Sequence, residues 1–566
     1  AELPIRSARL DYDSDDGVIL KTRWDLFALA GRGEPDGVDA SLLIDAYTSR
    51  AGAIGLDVAY ERPVTFGRTW LYGMYDVGED NPGGRDEVEP EDELRGLVHL
   101  QHRHYLLDDW QVSAEISYLS DPTLLEEFFP EHAYTDRPWE TSLYAKKQVA
   151  EAAFTFELQY DLLDFVPQLA RLQTPGYTVD KLPEIAYHRI GTSLFDDTVT
   201  WFSENRASVL QLNLPEITPD EIGFSEAEAM ALFGIMNTAG FHEAARFDGL
   251  DEDVVYRADS RQELQAPLKW GPIDVVPYAA GRITAYDEDF GREDENVRLW
   301  AAGGVKLHTA FSRDYNVQSE LLDIHRLRHI IEPSLHAGWA WTNLEQQDLP
   351  VYTYDVESIA DGGYLRVGVR NTLVTQRGGP GAWQDVEVLR VDTDFVFGDD
   401  DDDEAMTWPI PRFFDYRPEY SLAGDHFWGE VAWQITDAIA TVANVTYSFE
   451  SDRIENWNYG IVYDHTPSVS IFGQVRSIEA LDSLVVRYGL DYLLSVKYHL
   501  TLAHTIDVED DEANTISAVL TRRLPQSLLG LAISYDAIDD STTVGISFVP
   551  LGIGGDDDDN PFVHGP

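Results

Sequence analysis

The sequence predicts an all-β protein, namely a large closed antiparallel transmembrane β-barrel of about 26 strands. Apolar and polar side chains alternate in segments that restart from about residue 7 to about residue 548. The segments are about nine to eleven residues long, which is enough to cross about 25 Å of hydrocarbon at a tilt. No stretch approaches eighteen uninterrupted apolar residues, so the sequence offers no transmembrane helix.

The segment 154–161 shows the alternation clearly. Phe154, Phe156, Leu158 and Tyr160 take every second position, and polar residues such as Glu157 fill the gaps. A period of two gives a strand one apolar and one polar face. We therefore expect the four apolar side chains to face lipid and Glu157 to face the lumen.

Reading alternation against turn signals places 27 strand segments, of which 418–435 is ambiguous. Single-chain bacterial barrels prefer even numbers, so the prediction is 26 strands. The segments are 7–12, 17–28, 38–47, 53–60, 67–76, 95–106, 110–119, 140–148, 152–161, 184–194, 198–213, 253–266, 277–287, 296–311, 334–342, 364–376, 385–397, 418–424, 427–435, 439–450, 456–464, 468–477, 483–494, 495–507, 513–523, 528–536 and 542–549.

One segment interrupts the strand pattern. Thr218-Pro219-Asp220-Glu221 and Ser225 with Glu228 both read as helix starts, and a run of good helix formers follows. We interpret 215–252 as a long extracellular loop with a short helix, folded over or into the lumen. The predicted organisation is a barrel over 1–549 and an acidic C-terminal tail over 550–566.

Composition and charge exclude several functions. The 14 Trp, 28 Tyr and 24 Phe are enough for aromatic girdles at both membrane interfaces. The net charge of −60 excludes nucleic-acid binding, which needs a basic footprint. Acidic runs at 399–404, 507–512 and 556–559 are either solvated turns and tails or sites where divalent cations bridge phosphorylated glycolipid.

No enzyme or cofactor site is evident, so the sequence predicts neither an enzyme nor a bound cofactor. Asp11-x-Asp13-x-Asp15 begins like a calcium loop but lacks its glycine and final glutamate. His102 with His104, and His325 with His329, share strand faces. Each pair has the geometry for two metal ligands, but no third ligand stands out, and polar lumen lining is the alternative. We therefore assign no metal site.

Four landmarks occur in a defined order along the chain. A strand opens at Arg95-Gly96, and the next ends at Ser120-Asp121 before a turn with Phe128-Phe129. Leu182-Pro183-Glu184 leads into a strand, and the run from Arg328-His329 to Glu332-Pro333 opens another. This succession resembles the barrel of the LptD family, the lipopolysaccharide-assembly proteins of the outer membrane. The resemblance spans essentially the whole chain.

The resemblance implies a function, a location and partners. The protein would pass lipopolysaccharide to the outer leaflet of a Gram-negative outer membrane. Its partners would be a lumen-plugging lipoprotein of the LptE type, the periplasmic lipopolysaccharide-transport bridge proteins and the barrel-assembly machinery. A large cation-preferring porin or uptake channel is the alternative, since an acidic lumen favours cations.

The implied exit is a lateral gate between the first and last strands, because closure depends on one seam of backbone hydrogen bonds. We expect Pro4 before the first strand and Pro550 after the last to bound this seam, since proline cannot donate to a ladder. The predicted gate residues are Ser7, Ala8, Arg9, Leu10, Asp11, Tyr12, Thr542, Thr543, Val544, Gly545, Ile546, Ser547 and Phe548.

Two features differ from the family. Its members carry a periplasmic jellyroll domain before the barrel, whereas strand alternation starts here within ten residues. That domain was removed, belongs to another chain or was never present. Many members also have cysteines that tie the two domains together. This sequence has no cysteine, which excludes disulfide-gated maturation.

Overall fold

The computed structural model describes most of the chain. Described are residues 4–14, 16–82, 85–107, 109–133, 139–167, 169, 176–247, 249–290, 295–344, 349–359, 361–379, 381–398, 425–479, 483–509, 514–537 and 541–550. The predicted strand at 418–424, the acidic runs at 399–404 and 556–559, and the tail beyond Pro550 lie outside these residues.

The described residues form 28 strand segments in one antiparallel sheet. They are β1 Ile5–Asp13, β2 Gly17–Asp25, β3 Val38–Tyr47, β4 Gly52–Arg62, β5 Thr65–Tyr75, β6 Leu94–Tyr105, β7 Trp110–Leu119, β8 Thr141–Val149, β9 Ala152–Tyr160, β10 Thr178–Leu194, β11 Val199–Asn213, β12 Val255–Gln265, β13 Leu268–Trp270, β14 Ile273–Phe290, β15 Glu295–His308, β16 Phe311–Ser319, β17 Ile324–Thr342, β18 Gly362–Arg377, β19 Gln384–Gly398, β20 His426–Thr436, β21 Ile439–Ser448, β22 Arg453–Thr466, β23 Val469–Ile478, β24 Ser483–Ser495, β25 Tyr498–Asp507, β26 Asn514–Leu524, β27 Ser527–Asp536 and β28 Ser541–Pro550.

These segments build a closed wall of 26 strands, which confirms the predicted fold class. β12 and β13 both pair with β14, so they are one wall strand interrupted at 266–267. β15 and β16 both pair with β17 and form a second interrupted strand. β28 pairs with β1 and closes the barrel.

The two ends of the barrel differ. At the end that we call the short-turn end, two residues connect β20 to β21, β22 to β23 and β24 to β25. The first strand, β1, begins at this end, and the last strand, β28, ends at it. At the opposite, long-loop end, β5–β6, β7–β8, β11–β12 and β17–β18 are joined by long connections. Barrels of the outer-membrane type have short periplasmic turns and longer extracellular loops.

Helices are short and, except for α1, belong to connections at the long-loop end. Within the part of the chain that the structure describes, no helix is both long and apolar enough to span a membrane. The helices are α1 Leu26–Leu29, α2 Leu124–Phe128, α3 Pro130–Ala133, α4 Glu226–Leu232, α5 Phe241–Phe247 and α6 Tyr354–Glu357.

The wall has an apolar outer face and a polar lumen face. In β9, Phe154, Leu158 and Tyr160 are 40–53% exposed on the outer face. Glu157 points the other way, where its carboxylate accepts a hydrogen bond from Lys181 Nζ at 3.0 Å. Side chains of directly opposed residues share a face, so the same division continues into neighbouring strands.

Two of the predicted strand entries are wrong. Leu182-Pro183 lies inside β10, at a register shift between Lys181 and Glu184. Proline is tolerated within sheets at such bulges, because a bulge leaves a residue outside the ladder. Arg328 to Pro333 lies within β17, which starts at Ile324 and is nineteen residues long.

The predicted helix in the 215–252 loop corresponds to three short elements. Thr218 precedes a 3₁₀ turn at Asp220–Ile222. Ser225 caps α4 through a reciprocal pair of hydrogen bonds with Glu228. Phe224, Ala229 and other apolar residues of this loop form a buried cluster with Val166 and Leu169 of the β9–β10 connection.

Candidate functional site

The first and last strands meet at a seam, the β1–β28 junction. Antiparallel pairing joins Ala8–Tyr12 to Val544–Phe548. These five residue pairs are fewer than at any other wall junction in the described part of the chain. The next shortest, β7–β8, has six, and β27–β28 has ten. No turn connects β1 to β28, so pairing and side-chain contacts alone hold their register.

The outer face of the seam is apolar. Leu10 lies directly opposite Ile546, and their exposed fractions are 47% and 48%. Tyr12 lies opposite Val544 in the same row and is similarly exposed. These side chains offer the hydrocarbon interior of a bilayer an unbroken surface across the junction.

The lumen face of the seam is polar. Asp11 lies opposite Gly545 and is 3% exposed. Arg9 Nε is 2.6 Å from the Asp11 carboxylate. One step further along, the Thr543 hydroxyl donates to the Asp13 carboxylate at 2.8 Å. Polar contacts therefore supplement the short ladder from inside the barrel.

The predicted gate residues do not all pair across the seam. Ser7 pairs with Arg23 of β2, and Thr542 pairs with Tyr535 of β27. Pro4 lies before β1, as expected. The prediction that Pro550 follows the last strand is wrong, since it is the final residue of β28, opposite Ser527. The missing N–H of Pro550 removes no hydrogen bond from the seam, because pairing with β1 stops at Phe548.

Arg6 ties the start of β1 to β2 and β3. Its guanidinium donates to Asp25 at 3.3 Å, to Glu34 at 3.3 Å, to Ser41 at 3.2 Å and to Asp39. The sequence analysis missed this residue. The local signal was a lone cation beside the first strand, with an acidic segment following about thirty residues later. β1 is thus held firmly on the side away from the seam.

Part of the lumen at the long-loop end is closed by the chain itself. α2 buries Leu124, Leu125 and Phe128 against lumen-facing residues of β3–β7. The ring of Phe129 makes edge contacts with Trp70 and Tyr72, with centroids 4.8 and 4.9 Å apart. We call this inward-folded segment, residues 120–133, the cap.

A buried charge network anchors the cap. Arg95 donates to Asp80 at 2.7 Å, to Asp76 at 2.8 Å and to Asp121 at 2.6 Å. Arg50, in the turn after β3, donates to the same Asp80 carboxylate at 2.8 Å. The β3–β4 turn, the β5–β6 connection and the cap are therefore linked through Asp80, which is fully buried. Buried charges are tolerated only when paired and hydrogen-bonded, as they are here.

Glu127 brings a further carboxyl group to this network. Its carboxylate contacts Arg50 and accepts from the backbone N–H of Asn81 at 2.9 Å. Five carboxylates share two guanidiniums in the network. Burial raises the pKa of Glu127 to about 8, Arg50 opposes the rise and the Asp80 carboxylate adds to it. Near neutral pH, Glu127 therefore holds a proton in the docked cap.

A second inward segment, residues 349–359, crosses the lumen face of β10–β15, and we call it the strap. Glu357 is fully buried and accepts from Arg257 at 2.6 Å and from the Tyr286 hydroxyl at 3.0 Å. Arg298, 2% exposed, donates to backbone carbonyls of the strap, including that of Glu357 at 2.8 Å. The wall thus holds both the side chains and the backbone of the strap.

Further contacts fix the strap along its length. Arg206 donates to both carboxylate oxygens of Asp355, at 2.9 and 2.6 Å. Burial opposes ionisation of Asp355, but Arg206 holds the pKa of this carboxyl below its usual range. Val351 N–H donates to the Tyr177 hydroxyl at 2.9 Å. The strap is therefore a built part of the lumen and not a loose loop.

Along the rest of the wall, from β19 to β28, no described segment folds into the lumen, and we call this side the bare half of the lumen. None of the four hydrophobic clusters among the described residues contains a residue after Tyr364, and no described helix follows α6. Beside the seam, the lumen face of the middle part of β25–β28 carries small neutral side chains. They are Thr501, Ala503, Thr505, Ser517, Val519, Thr521, Gly530, Ala532, Ser534, Thr543, Gly545 and Ser547.

The first of the two histidine pairs lies on the outer face of the wall. His102 lies on the outer face with Val98 and Leu100, since Leu97 and His99 alternate with them on the lumen face. Lumen lining is therefore wrong for His102 and His104. Searching the described residues finds no group of three or more metal-ligating side chains. Asp15 lies outside those residues, so the calcium-loop reading is not addressed.

Similarity to known proteins is limited to the fold. No protein-family model matches the chain, and no curated protein matches it. A Rhodopseudomonas blastica porin triple mutant is 11% identical, covering 54% of this chain and 94% of the porin, with a TM-score of 0.21.

The alcaligin outer-membrane receptor FauA from Bordetella pertussis is 9% identical, covering 96% of this chain and 75% of the receptor, with a TM-score of 0.27. Scores this low carry no argument about function. The chain is a large outer-membrane-type β-barrel, and the closed strand register and apolar outer face establish that description.

Proposed function

We propose that this protein is an outer-membrane translocon that inserts lipopolysaccharide into the outer leaflet through a lateral gate at the β1–β28 seam. The observation that carries the proposal is the position of the shortest wall junction beside the bare half of the lumen. A cargo with a large polar part and acyl chains needs a wide polar passage and an adjoining lateral exit. Two of the four landmarks that resemble the LptD family, the strand opening at Arg95-Gly96 and the strand end before Ser120-Asp121, lie where the resemblance implies, and they support the same cargo.

The energetics of the seam are compatible with opening. A net backbone hydrogen bond contributes about 1 kcal/mol, so five residue pairs contribute a few kcal/mol in total. Cargo that binds the open form better than the closed form would shift this equilibrium by its difference in affinity. Junctions with eight to fourteen pairs, such as β17–β18, would stay closed under the same difference in cargo affinity.

The proposal includes a location and partners. The barrel would lie in the outer membrane of a Gram-negative bacterium with its long-loop end outside. A lipoprotein of the LptE type would occupy the bare half of the lumen, since a 26-strand wall is too wide for side chains to fill. Periplasmic bridge proteins of the lipopolysaccharide-transport system would deliver cargo to the short-turn end, and the barrel-assembly machinery would insert the chain.

A disulfide across the seam tests the gate. The chain has no cysteine, so Leu10→Cys with Ile546→Cys introduces a single pair at directly opposed positions. Oxidation is expected to stop lipopolysaccharide from appearing at the cell surface, and reduction to restore it. The matched control is Leu490→Cys with Leu502→Cys, opposed in the β24–β25 hairpin, which should leave surface display unchanged. Normal display with the seam locked would refute the lateral gate.

A cation-preferring porin is the second candidate, favoured by the net charge of −60. The two functions differ in purified protein. A porin conducts steadily and selects cations when isolated alone, and locking the seam leaves its conductance unchanged. A translocon purifies from native membranes with its lumen lipoprotein and conducts poorly while that partner is bound.

A further inference from the structure

β16 has one edge with no neighbouring strand among the described residues. On one side, it pairs with β17 from Phe311 opposite Ile331 to Ser319 opposite Ile324. On the other side, the preceding hairpin ends early, because β14 reaches only Asp274, which lies opposite His308 of β15. Nine residues of β16, about 30 Å of strand, therefore extend beyond β14.

β16 extends past the β13–β14 turn at the short-turn end of the wall. On the outer face of β17, Trp339, Trp341 and Leu335 give way to His329, whose Nε2 lies 3.2 Å from the Asn371 side-chain oxygen. Arg313 of β16 is directly opposite His329. Because a cation on the lipid-facing side is costly near the membrane midplane, we infer that this part of the hairpin lies near or beyond the membrane interface.

Both faces of β16 are accessible. All its residues from Phe311 to Gln318 are exposed, and Phe311, Tyr315 and Val317 bring apolar side chains to one face. A long exposed edge presents a row of unused N–H and C=O groups, which proteins ordinarily cover, shorten or block with charge or proline. β16 contains no proline, and Arg313 and Asp314 are its only charged residues.

We propose that the free edge of β16 binds an extended strand of a separate polypeptide by β-augmentation. Backbone hydrogen bonds along the edge would provide affinity, and alternate side chains would provide specificity. The partner strand is amphipathic, with apolar residues beside Phe311, Tyr315 and Val317 and an acidic residue opposite Arg313. This inference concerns the short-turn end and does not depend on which cargo the barrel carries.

The charges along the edge select the partner. Asp314 is neutralised by Arg328, whose Nε lies 2.9 Å from its carboxylate. Arg313 stacks on Tyr315 at 5.2 Å and makes no ion pair among the described residues. Arg313 is thus the charged side chain of β16 that has no ion-pair partner among the described residues. An acidic side chain on the partner complements it.

The chain's own C-terminal residues are a poor occupant. Residues 551–566 contain a Gly-Gly pair, four consecutive aspartates and two prolines, all of which are depleted in strands. A second copy of the barrel is the remaining alternative occupant, and the experiment separates it from a foreign strand by its dependence on protein concentration.

A synthetic peptide tests the proposal on the full chain in detergent. The probe is a nine-residue peptide of alternating threonine and valine, with glutamate at the seventh position, which an antiparallel register sets opposite Arg313. Its control is the same peptide methylated at every backbone nitrogen, which cannot donate hydrogen bonds. Amide hydrogen exchange of the barrel is followed with each peptide, and affinity is measured by fluorescence anisotropy of labelled peptide.

We expect the unmethylated peptide to slow amide exchange in the β16–β17 hairpin and nowhere else. The methylated control should leave exchange unchanged. Arg313→Glu should weaken binding by about fivefold, as for an exposed ion pair, and a peptide with lysine at the seventh position should recover it. Exchange that is unchanged in β16, or protection at the β1–β28 edges instead, would overturn the proposal. So would protection of β16 without peptide that disappears on dilution, which would assign the edge to a second copy.

Discussion

Arg257 and Glu357 form an ion pair inside the lumen, with Nη1 and the carboxylate oxygen 2.6 Å apart and both side chains fully buried. One hundred residues separate them in sequence. The pair joins the strap to the wall, and the wall has its own complete ladder on both sides of Arg257. Loss of the pair should therefore release the strap without unfolding the barrel.

Glu357→Ala is expected to free the strap and open the lumen. Removing one member of a buried pair costs up to about 3–5 kcal/mol. Arg257 keeps a second partner, Glu184 at 2.9 Å, so we expect a cost at the lower end of this range. Conductance in planar bilayers should rise, and proteases should cut within 349–359. The control is Glu357→Gln, whose amide oxygen can still accept hydrogen bonds from Arg257 and Tyr286 and which should keep the strap docked. Unchanged conductance in Glu357→Ala would show that the strap does not obstruct the lumen.

Docking of the cap should weaken as pH rises. The pKa of Glu127 is about 8 in the docked cap and 4.5 in a solvated glutamate, so the docked state binds more protons between these values. Its contribution is complete below about pH 4.5 and is lost as pH rises through 8. The protection factors of amides in 124–133, which correct exchange for the base-catalysed intrinsic rate, should accordingly be smaller at pH 9 than at pH 6. Glu127→Gln should abolish this dependence, whereas Glu131→Gln, at an exposed neighbour, should retain it.

Arg6→Ala should loosen β1 on its anchored side. Hydrogen bonds to charged groups contribute about 1.5–3 kcal/mol each in favourable geometry, and part of this is lost when Arg6 is truncated. Exchange of amides in β1 and β2 should accelerate, while that of β27 stays constant. Arg6→Lys keeps the charge but loses the fork, so an intermediate effect is expected. Equal acceleration in β27 would indicate general destabilisation of the barrel instead.

The two faces of β9 should respond oppositely to charge. Leu158→Arg places a cation on the outer face and should cost about 2–4 kcal/mol if the site lies near the membrane midplane. Gln159→Arg, one residue along, points into the lumen near Glu157 and should be tolerated. Heat-modifiable mobility and the yield of folded barrel in the outer membrane measure the difference. Similar losses from both substitutions would contradict the assigned register.

The fold could be read from the sequence because outward-facing residues such as Leu158 and inward-facing ones such as Glu157 obey a period of two. The 26 strands follow from this period. β16 was mostly missed because Arg313, Asp314 and Asn316 interrupt its apolar alternation. The cap and strap were missed for another reason. Arg50 pairs with Glu127 and Arg257 with Glu357, and pairings over such separations leave no local pattern.

The seam also determines the order in which the barrel can be completed. Asp13 and Thr543 are 530 residues apart, and their contact forms only when all the intervening strands have paired. Until then, β1 and β28 are two open edges of one growing sheet, each able to pair with the wrong neighbour. Because Arg6 ties β1 to β2 and β3, the open edge of β1 is held in a defined position until β28 pairs with it.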